Sequence, residues 1–263
     1  IGTLRPDLAA RTGLSPNVRI LAGLHDSNAA LLAARAFPEM CGQEATLLST
    51  GTWFIAMRSP AGAPVGGDAR ELPEERDCLL NVDIDGRAVP SARFMGGREL
   101  ETLLGADALR LDAAAEQSAM LEALPRLLEQ QAFVLPSFRP GTGPYAKGEG
   151  RWQNEPGDRA GRCAAAALYA ALVADASLEL IGSRDTLLVE GRFARCEIFV
   201  RALASLRRGT RVFTAEVHDD VPLGALRLVH PELAPANRLM AVQPLAVELS
   251  PARERWRQLA EVA

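Results

Sequence analysis

The chain has 263 residues, 48% of them hydrophobic and 24% charged, with a mean hydropathy of +0.01. That length and balance exclude a stapled mini-protein, a disordered tail and a fibrous repeat, and leave room for one large α/β domain or two smaller ones. The 29 basic residues nearly balance the 33 acidic ones, so the formal charge of −4 offers no global positive field for nucleic acid or an anionic membrane.

Cys41, Cys78, Cys163 and Cys196 lie far apart, form no CxxC pair and have no histidine at metal-ligand spacing. Reduced, packed thiols and a cytoplasmic location are expected, and no protein-held metal. The chain opens on Ile1-Gly2-Thr3-Leu4, with no methionine and no signal-peptide pattern, so it is expected to start inside a longer protein. The apolar stretch 164–174 falls short of the roughly 20 residues that span a bilayer, and no membrane segment is expected.

In chain order, the β-rich run 18–24 predicts a strand that delivers His25-Asp26-Ser27-Asn28 to a turn. The alanines and leucines at 29–34 predict a helix after it, with Ser27 or Asn28 as N-cap and Asp26 at its positive end. Residues 45–49 and 53–57 predict a hairpin around Thr50-Gly51-Thr52. Pro60, Pro64, Gly66-Gly67 and Pro73 mark 59–77 as an exposed loop. A second hairpin, 79–84 with 88–94, is expected to turn at Asp85-Gly86, and a helix to begin at Gly97. The segment 109–130 has helical spacing broken at Pro125. Then come a strand at 132–135, a Gly/Pro-rich loop at 136–150 and a helix at 159–181. A strand at 186–189, a turn at Glu190-Gly191, a helix at 195–206, a strand at 211–214 and a helix at 223–229 follow. This alternation predicts an α/β layer structure without solenoid repeats.

Asp26 is the most informative residue. A carboxylate at a strand-to-helix turn is rigid and reachable, as a general base must be, although a helix cap is the plain alternative. His25, His218 and His230 are too scattered for a metal site. Ser49-Thr50-Gly51-Thr52 could close backbone donors around a phosphate oxygen, or be only a hairpin turn; it lacks the lysine and glycine spacing of a P-loop. A Ser49-His25-Asp26 hydrolase lacks a GxSxG elbow. Glu190-Gly191-Arg192-Phe193-Ala194 stands where an open α/β sheet receives nucleotides, or is a plain connection. Gly96-Gly97 reads equally as helix entry or ligand approach.

In order and spacing these segments resemble the C-terminal half of the FGGY carbohydrate kinases, within the ribonuclease H-like, actin-like ATPase superfamily. Ala22-Gly23-Leu24-His25-Asp26-Ser27-Asn28 looks like the family's glycine-x-histidine-aspartate segment, and Leu48-Ser49-Thr50-Gly51-Thr52-Trp53 like its second phosphate loop. Residues 138–145 are similar to its loop near the nucleotide ribose, 187–194 to its adenosine motif, and Val221-Pro222-Leu223-Gly224-Ala225 to its closing glycine-alanine helix. The histidine-aspartate pair is also similar to the rhamnulose and fuculose kinase branch.

The resemblance implies a mixed sheet flanked by helices, with an interdomain segment at 1–16, the kinase C-terminal domain at 17–233 and an extension at 234–263 ending in a helix. It implies ATP-dependent phosphorylation of a ketose or polyol, with Asp26 as general base and His25 and Ser27 on the sugar hydroxyls. Thr50, Gly51 and Thr52 would hold the β- and γ-phosphates, Gly191 and Ala194 the adenosine, and phosphates and water most of the Mg²⁺ shell. Arg192 follows Gly191 where the family usually has a second glycine. The family's Asp-x-Gly-Thr loop is absent from the chain, so an N-terminal kinase domain is the expected partner, and the chain is expected to be inactive without it. Homodimerisation is left open, and a non-catalytic nucleotide-binding module is the alternative function.

Overall fold

The structure, a computed structural model, describes residues 2–62, 71–215, 220–236 and 238–262. Pro64, Gly66-Gly67 and His218 lie outside them. The elements run β1 (Gly2–Thr3), α1 (Pro6–Thr12), β2 (Arg19–Ile20), α2 (Asp26–Ala34), β3 (Ala45–Thr50), β4 (Phe54–Ser59), β5 (Cys78–Val82), β6 (Ala88–Phe94), α3 (Gly96–Leu104), α4 (Ala114–Glu129) and β7 (Phe133–Leu135). They continue through β8 (Arg151–Gln153), α5 (Arg159–Leu180), β9 (Thr186–Gly191), α6 (Glu197–Leu206), β10 (Arg211–Ala215), α7 (Asp220–Arg227), β11 (Leu239–Ala241) and α8 (Ser250–Glu261).

Seven strands form one mixed sheet in the order β11-β10-β9-β3-β4-β6-β5. The neighbours β10, β9 and β3 are parallel, and the other pairings are antiparallel. Period-two alternation splits the core between the faces. Leu48, Leu187 and Val189 join the larger cluster with α3, α4, α5, α6 and α8, whereas Leu47 and Leu188 face Ala30 and Leu31 of α2. Helix α5 is long and apolar enough to cross a membrane by length and composition, yet 89% of its most apolar window is buried inside the protein.

Several sequence expectations need correction. The run 18–24 yields only the two-residue β2, paired with β1 and solvent-exposed. The Asp85-Gly86 connection is longer than two residues: Asp83 Oδ1 accepts the amides of Asp85 and Arg87 at 2.8 Å each and closes the loop over the left-handed Gly86. Helix α4 runs unbroken through Pro125, which sits on its exposed face. There the carbonyl freed four residues earlier can reach water.

Residues 234–263 fold onto the domain: β11 extends the sheet, and Trp256 of α8 is completely buried, donating Nε1–H to the Val134 carbonyl at 2.7 Å. Cys78, Cys163 and Cys196 are buried and Cys41 is exposed, all as free thiols.

Candidate active site

The parallel strands β3 and β9 end side by side, with Thr50 opposite Gly191 in the register. Ligands of open α/β sheets bind outside such carboxyl ends. A cleft of about 350 Å³ opens there, lined by Ser49, Thr50 and Gly51, by Glu190 and Gly191, by Asp26 and Ser27 at the start of α2, and by Val221 and Pro222 of α7. The structure thus brings together residues far apart in sequence that were singled out above. His25, Thr52 and Ala194 do not line this cleft. Nor does the loop 138–145, which is held from elsewhere: Glu99 accepts the Phe138 amide, and Arg76 donates to the Pro144 carbonyl.

Helix α2 begins two or three residues earlier than expected. His25, not Ser27 or Asn28, is its N-cap, and Asp26 is its first residue, where a carboxylate suits the positive helix end. Asp26 Oδ1 accepts the Ser27 amide at 2.6 Å and the Ser27 hydroxyl at 3.3 Å, and lies 2.8 Å from His25 Nδ1. His25 Nδ1 is also 3.3 Å from the Ser27 amide. One nitrogen cannot donate to the carboxylate and accept the amide together. The shorter contact favours Nδ1–H donating to Asp26, whose Oδ1 already takes the amide. Oδ2 makes none of these contacts, and the Asp26 side chain is 74% exposed.

The Thr50-Gly51-Thr52 turn is built by close backbone crossings. A Cβ on Gly191, whose φ is +81°, would lie 2.1 Å from the Thr50 carbonyl oxygen; one on Gly97 would lie 2.2 Å from the Gly51 carbonyl oxygen. Gly191 is therefore demanded by the neighbouring turn, a nearer reason than the expected approach of adenine. Gly97, read from sequence as ambiguous, packs the start of α3 onto the same turn.

Thr50 is 3% exposed, and both functions of its hydroxyl are used: it donates to the Glu190 carbonyl at 2.5 Å and accepts the Phe193 amide at 3.1 Å. The hydroxyl expected on a phosphate is committed to the protein. The Gly51 amide bonds the Trp53 carbonyl, while the Cβ position of Gly51 meets nothing within 4 Å, so the chain is bare toward open space. Thr52 is exposed.

Beyond Gly191, the turn Arg192–Arg195 is fixed from the side. Arg192 lies over the Phe193 ring and donates to Asp112 at 2.8 Å, and Arg195 donates to the other oxygen of Asp112 at 2.7 Å. Burial pushes the Asp112 carboxyl up, but the two guanidinium bonds prevail and hold it below the ordinary range. Ala194 is buried. On the far wall α7 packs closely on α2: a Cβ on Gly224 would come within 1.8 Å of the Ala29 carbonyl oxygen. Among the described residues no group of three or more His, Cys, Asp or Glu side chains could hold a metal ion.

The order of these pieces agrees with comparisons to known proteins. The family model for the carbohydrate kinase FGGY C-terminal domain matches residues 42–237. The chain belongs to the FGGY carbohydrate kinase family. The crystal structure of a carbohydrate kinase from Novosphingobium aromaticivorans is 56% identical, with a TM-score of 0.90 over 98% of this chain and 56% of that one. Xylulose kinase from Rhodospirillum rubrum, at 19% identity and TM-score 0.62, is covered over 52% of its length by 99% of this chain. Gluconate kinase from Lactobacillus acidophilus, at 11% identity and TM-score 0.68, is covered over 53% by 98%. These two share the fold, that of the actin-like ATPases. The chain thus spans little more than half the length of each of these kinases. No curated protein matches it.

Proposed function

We propose that this FGGY domain is the C-terminal part of an ATP-dependent kinase that transfers the γ-phosphoryl group to a hydroxyl of a ketose or polyol. The observation carrying the reading is the single cleft that joins Asp26 and Ser27 to the Thr50-Gly51 turn and Gly191. It puts a reachable carboxylate beside a turn with room for phosphate.

Asp26 takes the proton of the acceptor hydroxyl through Oδ2 as that oxygen bonds to the γ-phosphorus and the bond to the bridging oxygen of ADP breaks. His25 holds Oδ1 and so aims the carboxylate; with Ser27 it stands beside the sugar hydroxyls. Gly51 gives the phosphates room for close approach, and Thr52 carries an exposed hydroxyl at the outer edge of the turn. Gly191 borders the adenosine side, with Ala194 buried behind it. The donor set suits a triphosphate only with a cation: among the described residues the cleft is lined by the acidic Asp26 and Glu190 and by no lysine or arginine. Mg²⁺ bound with the nucleotide would supply that neutralisation.

An N-terminal lobe completing the kinase contributes the first phosphate loop and most of the sugar pocket, and without it this chain does not turn over. The test is Asp26→Asn in the two-lobe enzyme across a panel of ketoses and polyols. Turnover is expected to fall by about 10²–10⁴-fold with little change in ATP affinity. Undiminished turnover would remove Asp26 as the base, and nucleotide binding without transfer to any acceptor would favour a non-catalytic module.

A further inference from the structure

The hydroxyl of Thr50 joins two pieces of the cleft that sequence reasoning treats separately. Thr50 ends β3 and begins the phosphate turn, whereas the groups it bonds, the Glu190 carbonyl and the Phe193 amide, lie before and after Gly191 at the end of β9. Gly191, bare of a side chain, lets the two backbones meet at this point. The joint is dry: Thr50, Glu190 and Phe193 are each at most 3% exposed. Below it, the Phe193 ring packs at a tilt against Phe54, the first residue of β4, with ring centroids 5.0 Å apart. A buried amide deprived of its acceptor carries a desolvation penalty, so removing this hydroxyl favours departure of the 191–195 turn from β3.

We propose that Thr50 is a positioning residue that fastens the adenosine-side turn to the phosphate turn, making the base and phosphate subsites one rigid unit, and that its hydroxyl does not touch the nucleotide. The proposal rests on the nucleotide reading above. It deepens that reading by assigning Thr50 to the nucleotide as a whole and not to its phosphates.

Valine keeps the branched shape of threonine without the hydroxyl, and serine keeps the hydroxyl. If the subsites are coupled through Thr50, Thr50→Val weakens AMP and ATP by the same factor, about tenfold, while Thr50→Ser stays within about twofold of the parent for both. Amide hydrogen exchange of this chain without nucleotide gives a second readout: Phe193 N–H is expected to exchange about tenfold faster in Thr50→Val and unchanged in Thr50→Ser. Should the valine variant not fold, Thr50→Cys, with its weak donor and acceptor, gives the same comparison. Loss of ATP affinity with AMP unaffected would mean direct phosphate contact and overturn the proposal, as would unaltered Phe193 protection. If the parent binds neither nucleotide, the kinase reading fails, and amide exchange alone decides the joint.

Discussion

Gly191→Ala separates the two reasons a glycine could stand at the end of β9. If the position serves only adenine, alanine leaves the apo protein intact and weakens nucleotide binding. The geometry says otherwise. Its φ of +81° with ψ of −167° belongs almost to glycine alone, which costs an alanine about 1–3 kcal/mol. The new methyl would also stand 2.1 Å from the Thr50 carbonyl oxygen, a backbone atom that cannot rotate away. Forcing such a contact apart adds about 1–3 kcal/mol. Together these come to about 4 kcal/mol, which in a domain of this size lowers Tm by roughly 8–16 °C. Thermal unfolding followed by circular dichroism, without nucleotide, measures it. Gly51→Ala is the control, because nothing lies within 4 Å of its Cβ position and it is not among the positive-φ glycines. Its Tm is expected to stay within about 2 °C, since a substitution into open space and free of strain changes little. A Gly191→Ala protein as stable as the parent would refute the packing argument and return the residue to the adenine.

Gly224→Ala, in a helix where alanine normally gains about 0.5–1 kcal/mol, should instead destabilise, because its methyl would meet the Ala29 carbonyl oxygen at 1.8 Å; urea unfolding reads the sign. Trp256→Ala should cost about 3–5 kcal/mol in the same assay, and a loss below 1 kcal/mol would mean that α8 is only laid against the domain. Glu99 is buried, and desolvation raises its carboxyl despite bonds from the Tyr169 hydroxyl at 2.5 Å and the Ser137 hydroxyl at 2.8 Å. The folded state therefore holds the proton more tightly than the unfolded state. The Glu99 contribution should be fullest below its ordinary value of 4.5 and be lost as pH climbs from there through the raised one. Glu99→Gln should flatten that slope in unfolding measured from pH 4 upward, and an unaltered slope would exclude Glu99 as its source. Since two acidic residues and no basic one line the cleft among the described residues, EDTA should abolish most ATP binding by calorimetry; binding undisturbed by the chelator would contradict this account.

The sequence made the sheet centre legible where alternation and turn chemistry agreed, as in the hairpin of β3 and β4. It misled at 18–24, because an apolar, β-branched run does not reveal its pairing partner: here only β1 pairs, and Ile20 and Leu21 stay exposed. Pro125 suggested a break because a pattern does not say which face of the helix meets water. Trp256 stayed hidden because Arg253, Glu254, Arg255 and Arg257 surround it in sequence, though the helix turns the tryptophan, with Ala260 one turn on, into the core. For the site, motif order named turns that meet at one cleft but not how their atoms are engaged. A threonine in a phosphate-loop pattern reads as a free donor, and only the neighbouring strand end shows that the Thr50 hydroxyl is already engaged.

The glycines at the cleft share one physical logic. Gly191 and Gly97 admit two different backbones to the same four-residue turn, and Gly224 admits α7 to the helix that carries Asp26. Each crossing is closer than any side chain would permit, and backbone, unlike a long side chain, gives way little. The turn and the start of α2 are thereby held by neighbouring backbone. Donors fixed before binding need not be reorganised when charge develops, and this is where electrostatic catalysis gains most. On the kinase reading proposed above, a net charge of −4 would be no obstacle to a triphosphate, because local placement of dipoles and a cation, not the summed field of the protein, would govern the site.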